Sequence, residues 1–313
     1  MKQNDNFKIL ILLSQGLGLL VTLIGVFLGA FYWLNGSIIF AGLISMVSVG
    51  AMYFLVDQFC KAKIDRPRSG YPNKVLLMFG IYGVFSILVS FMVLHFYNVE
   101  FLEKAELITK GTDKITGLEK IYNAFTSKST TWTEDFHADL ENIVKDLQND
   151  RNVDGNTTIL ISKPYNFEKI DIANWKVVRG SNLTKKINAS KGEYYTTIKS
   201  IVTNRLGDST YFDENRNIIE NWSRLSLINT FNDLDTRIKD DYRYLEKQLA
   251  EFTQNEETAL EVNIGLLTEP TLISNPLPLA QKHKGVSTLL VLLGFQLLIL
   301  LPFLLTPGRS FGK

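Results

Sequence analysis

KAKIDRPRSGYPNKVLLMFGIYGVFSILVSFMVLHFY, residues 61–97, decides how this chain is read. Its second part, Val75–Tyr97, runs for 23 residues without Asp, Glu, Lys or Arg. A helix rises about 1.5 Å per residue and the hydrocarbon core of a bilayer is about 30 Å thick, so about 20 apolar residues cross it. Apolar residues cover every side of this helix and not one stripe, which argues against a helix of a soluble core. The first part carries Lys61, Lys63, Arg66, Arg68 and Lys74 against one acid, Asp65. Short basic loops beside a span stay in the cytoplasm.

Working outward, the same length test selects 9–33, 37–56 and 285–305. The overall figures of 46% hydrophobic residues and a net charge of +1 conceal this division. Residues 98–284 hold 24 basic and 29 acidic side chains, and the rest of the chain holds nine and three. The first apolar run is too long for a cleaved signal peptide and lacks a small-residue cleavage site before Trp33, so it reads as a retained anchor. Leu34–Gly36 is a short uncharged turn containing Asn-Gly, with Tyr32 and Trp33 where an aromatic belt is expected. Both termini then lie in the cytoplasm, with Lys2, Lys8, Arg309 and Lys313, and 98–284 lies outside it.

The fold class expected is an all-α polytopic membrane protein. Four transmembrane helices frame a mainly helical extracytoplasmic domain between the third and fourth, with room for a small α+β part. The expected domains are 1–97 (spans 9–33, 37–56 and 75–97), a helical domain at 98–265, a proline-containing tether at 266–284, and the last span with its tail at 285–313. Cys60 is the only cysteine, so the exported domain holds no disulfide. Four glycosylation sequons, at Asn156, Asn182, Asn188 and Asn221, are about as many as chance supplies in so Asn-rich a region. A bacterial cytoplasmic (inner) membrane is the location expected.

Within the exported domain, the third span reads as continuing into helix as far as Gly111. A helix follows over 113–126, and another begins at the capping box Thr131–Glu134. NVDGN (152–156) reads as a turn, and 157–162 and 175–178 as short strands. Helix returns over 184–206, and the clearest helical period runs from Asn221 to Phe252. There Phe231, Leu234, Ile238, Tyr242, Leu245, Leu249 and Phe252 make a seam close to a heptad. The seam fits packing within one subunit, or a coiled coil with a second copy or a partner. Pro270, Pro276 and Pro278 make 266–284 an extended tether.

Chemistry-bearing residues are sparse. His137 has Glu134 and Glu141 on one helical face, a spacing that could ligate a metal but more simply reads as solvated charge. Metalloprotease, paired-cysteine, nucleophile-elbow and Walker motifs do not occur, so neither an enzyme nor a cofactor is expected. In the spans, Asp57 reads as an acid at the cytoplasmic interface. Gly25 and Gly29 form a GxxxG pair, and Gly83, Ser86 and Ser90 form a small-residue stripe. The expected function is a non-enzymatic interaction or assembly subunit of an envelope complex. Its partners are membrane lipid and either further copies of itself or an envelope protein, with no nucleic acid. A sensor working through a separate cytoplasmic partner and an oligomeric channel or transporter are the alternatives.

Overall fold

A computed structural model describes residues 5–64, 71–149, 177–253 and 258–306. Among these every regular element is helical. They are α1 (Asp5–Trp33), α2 (Ile38–Ile64), α3 (Tyr71–Tyr97), α4 (Lys104–Gln148), α5 (Ser181–Leu206), α6 (Tyr211–Glu220), α7 (Arg224–Thr253), α8 (Pro276–Lys282) and α9 (Val286–Leu305). Among the described residues four segments are long and apolar enough to cross a membrane: Leu13–Trp33, Ile38–Lys63, Val75–Leu102 and Val286–Leu305. The expected strand at 157–162 lies outside the described residues. Of the one expected at 175–178, Val177 and Val178 are described and are not strand.

The chain divides into two compact units, one of residues 1–108, 224–229 and 271–313, the other of 109–223 and 230–270. In the first unit α1 packs on α2, α3 and α9. Gly25 and Gly29 bring α1 onto α3: a methyl on Gly25 would sit 3.2 Å from Val93 Cγ2, and one on Gly29 would fall on the Met92 carbonyl. Small residues permit this approach, which lipid-embedded helices need because water supplies no hydrophobic drive between them. Phe59 of α2 stacks on Phe79 at 4.6 Å and meets Tyr82 and Phe303 edge-on, joining α2 to α3 and α9. The turn between α1 and α2 needs two left-handed residues, and Asn35 (φ +51°) and Gly36 (φ +82°) supply them.

Residues 266–284 are not one extended stretch. They form 3₁₀ turns at Leu266–Thr268 and Leu272–Ser274, then α8, which opens with Pro276 at a position where the missing N–H costs nothing. The second 3₁₀ turn packs on α1, and α8 packs on α3.

The second unit is organised by α4, one helix of 45 residues where three were expected. Gly111 does not stop it, and Thr131–Glu134 does not start a new one. The reason is a buried stripe that never loses phase: Gly111, Ile115, Leu118, Tyr122, Phe125, Ser129, Thr133, Phe136, Leu140 and Val144. Gly111 is a packing residue, since a methyl there would lie 2.7 Å from Ile219 of α6 and 3.0 Å from Phe231 of α7. The Thr133 hydroxyl donates back to the Ser129 carbonyl at 2.8 Å, and Glu134 pairs with Lys191 of α5. Phe136, Leu140 and Val144 bury against Leu183 and Ile187 of α5.

Gly29→Ala is expected to lower the thermal midpoint of the detergent-solubilised protein by the equivalent of about 1–3 kcal/mol, the usual cost of overpacking. Gly83→Ala, with open space around it, is expected to leave the midpoint unchanged.

Candidate functional site

Two places gather functional groups, one in each unit. In the first unit, α3 passes into a π-helical turn, Asn98–Leu102. Such turns recur at functional sites because the extra residue re-aims the side chains around it. This one buries Glu100, whose side chain is 4% exposed. Arg224, the first residue of α7, grips the carboxylate with both arms: Nε donates to Oε1 at 2.7 Å and Nη2 to Oε2 at 3.0 Å. The Tyr32 hydroxyl, from the end of α1, donates to the same Oε1. A bidentate guanidinium is the geometry that best offsets the desolvation of a carboxylate. The pair holds the Arg224 guanidinium above even its usual high range.

One residue past the turn, Glu103 is equally buried and receives Lys282 Nζ at 2.8 Å and His283 Nε2. Lys282 also reaches Glu106 at 2.7 Å. These carboxylates raise the Lys282 ammonium above its ordinary value, Glu103 contributing most. Beside this network His95 and Asn98, one helical turn apart, are 2% and 0% exposed. The Asn98 amide atoms have no hydrogen-bond partner among the described residues.

In the second unit a cleft of about 710 Å³ opens between one face of α4 and residues 261–270. Its volume falls in the range of ligand pockets. Lys114 is its floor. The buried ammonium donates to Asp235 at 2.5 Å, to the Leu267 carbonyl at 2.8 Å and to the Glu269 carbonyl at 2.6 Å, which uses all three of its hydrogens. Gly117 leaves the notch that the Leu267 side chain fills. Lys110, Asp113 and Lys120 line the walls, and Leu266 stands 82% exposed at the rim.

The residues singled out from sequence separate into groups. Phe231, Leu234, Ile238, Leu245 and Leu249 are fully buried inside the second unit. Tyr242 donates to Glu246 at 3.0 Å, and Phe252 packs edge-on against Trp132 of α4 and Tyr194 of α5. The chain's own helices therefore occupy the seam. On α3, Gly83 makes no close approach and Ser86 is half-buried, while Ser90 accepts a hydrogen bond from Gln296 of α9 at 2.7 Å. Tyr82 donates to the other end of the same amide at 2.9 Å. Asp57, its side chain partly exposed, pairs with Lys61 one turn on at 2.6 Å. Lys63 donates to the Phe303 carbonyl at 2.9 Å, satisfying a free carbonyl at the end of α9. Arg66 and Arg68 lie outside the described residues, and of Lys74 only the backbone is described.

His137 is not on a solvated face. It is buried, with Nδ1 2.8 Å from the Thr133 carbonyl and Nε2 3.0 Å from the Ser190 hydroxyl of α5. The Glu100–Arg224 pair, by contrast, had no local signal. Its members are 124 residues apart, and each looks in sequence like an ordinary surface charge.

Removing Arg224 leaves Glu100 buried without its cation, so Arg224→Ala is expected to cost about 3 kcal/mol. The double variant Glu100→Gln/Arg224→Ala should recover most of that loss in a thermal melt. A pH dependence follows from His137. Burial lowers its pKa most; the Thr133 carbonyl opposes, Lys191 adds to the lowering and Glu134 opposes it. With the folded pKa below an unfolded value of about 6.5, its contribution is complete above that value. It is lost as pH falls through the folded pKa. The melting temperature should decline from about pH 6.5 toward the carboxylate range, with a shallower slope in His137→Gln.

Compared with known proteins, the chain matches no protein-family model, no curated protein and no solved structure.

Proposed function

We propose that this chain is a non-enzymatic, membrane-anchored interaction and assembly subunit of a bacterial envelope complex. It presents its helical unit outside the cytoplasm to a protein partner. The observation that carries this reading is how the unit uses its charges. Lys114 reaches Asp235, Arg205 and Tyr122 share Asp241, Arg216 reaches Glu119, and Lys191 and Tyr195 share Glu134. Each link runs from one helix to another. They stiffen the body, and a body ordered before it meets its partner loses less entropy on binding.

Because the seam of α7 is covered from within, the partner surface in this reading is the cleft between α4 and 261–270. Its rim offers the exposed Leu266 beside Lys120, an apolar anchor next to a polar edge, as protein interfaces are built. The basic segment with Lys61, Lys63, Arg66, Arg68 and Lys74 supports an orientation with both termini in the cytoplasm.

The test is purification from the native membrane in mild detergent, with particle mass and co-purifying proteins identified. The expected result is a partner at fixed stoichiometry that is lost from Leu266→Asp/Lys120→Glu while the melting temperature holds. A homogeneous particle without a partner would overturn the reading. In the same cells, a membrane-impermeant maleimide should reach Lys239→Cys but leave Cys60 unlabelled.

A further inference from the structure

We infer that Phe101, Leu225 and Leu277 form a collar that beds in the lipid headgroup region, so that the start of α7 rests on the membrane surface. Arg224–Asn229 lies more than a hundred residues along the chain from the third span, yet it belongs to the first unit. Two contacts place it. Arg224 holds Glu100, and Ile228 Cβ would lie 3.7 Å from a methyl on Gly36, in the turn between the first two spans. Glu100 in turn receives Tyr32, next to Trp33, where the first span ends. Arg224, Ile228, Tyr32 and Glu100 therefore share one level of the bundle.

Span lengths say which level that is. Leu13–Trp33 is 21 residues, about 31 Å of helix, which matches the hydrocarbon core. Val75–Leu102 is 28 residues, about 42 Å, which matches the core together with its polar margins. The Asn98–Leu102 turn thus falls at headgroup depth. There the surface is apolar on the outside and charged beneath. Phe101 is 67% exposed, Leu225 57% and Leu277 62%, while Leu227 and Ile228 are fully buried. Leu277 is carried to the same level by α8, which packs on α3 and whose Lys282 pairs with Glu103.

Lipid is the occupant that fits. The three side chains are exposed and apolar as the spans are, where Val84 and Ile87 of α3 are 69% and 74% exposed. Arg224 and Lys282 are half-exposed beside them, cations with apolar stems that suit the phosphate level of a leaflet. An apolar rim flanked by cations is the pattern of interfacial segments.

Cys60 is the sole cysteine, so Cys60→Ser gives a background for spin labels at single new cysteines. The full chain is reconstituted in bilayers of phosphatidylethanolamine and phosphatidylglycerol, and collision with oxygen and with a water-soluble nickel chelate is measured. Leu225→Cys, Phe101→Cys and Leu277→Cys are each read against Val84→Cys and Lys239→Cys. The inference expects oxygen-to-nickel ratios several-fold above Lys239→Cys and below Val84→Cys. A ratio equal to that of Lys239→Cys would place the collar in water and overturn it. Protection from both reagents would also overturn it, since a second copy or a partner would then cover these residues. If Val84→Cys itself met the nickel chelate, the membrane reading would fail first, which separates the two failures.

Discussion

A buried carboxylate has to be met by a cation, and Glu100 sets the terms for the first unit. Its partner, Arg224, comes from a distant part of the chain, and its second donor, Tyr32, comes from another helix. One charge thus holds the end of α1, the end of α3 and the start of α7 together. The pairing is directional as well as attractive. A guanidinium fork accepts one approach to a carboxylate, so the first residues of α7 are oriented as well as held. Glu103 repeats the device one residue after the π turn, tying down α8 through Lys282.

The second unit relies on continuity of phase. The buried stripe of α4 includes Gly111, Ser129 and Thr133, which are small or polar and break the apolar pattern without breaking the helical period. Read in sequence alone, Gly111 looks like a stop and Thr131–Glu134 like a start. In the folded unit each admits something: Ile219 and Phe231 fit against Gly111, and the Thr133 hydroxyl closes on the Ser129 carbonyl within the helix. Gly117 does the same for Leu267, and Lys114 fixes the segment that carries it. Lys128 of α4 holds the start of that segment through the Ala259 carbonyl and Glu261, Lys114 holds Leu267 and Glu269, and the cleft opens between these ties.

The seam of α7 shows how a correct periodicity can leave its partner open. A 3–4 spacing of apolar residues says that a face is buried and does not say against what. Here the facing residues lie on α4 and α5 of the same chain, joined through Trp132, Tyr194 and Phe252. His137 went unread for a related reason. Glutamates at helical spacing suggest a wet face, whereas the histidine turns inward between Thr133 and Ser190.

What the sequence by itself determined was whatever depends on length and transfer free energy. Four runs of about 20 apolar residues were legible as helices long and apolar enough to cross a membrane, because length and hydropathy are local, additive properties, although the second and third helices run on to Lys63 and Leu102. At Gly25 and Gly29 the missing side chains, visible in one dimension, let α1 lie against Val93 and Met92 of α3. Only the tertiary structure decided which charges would be buried, that Gly111 and Thr131–Glu134 lie inside one helix, and that residues 271–284 fold onto the spans. Those outcomes depend on which side chain arrives opposite, and in this chain the partner lies 124 residues away for Glu100 and 180 for Glu103 with His283. No spacing in the sequence encodes such a meeting, because it is set by the packing of whole helices.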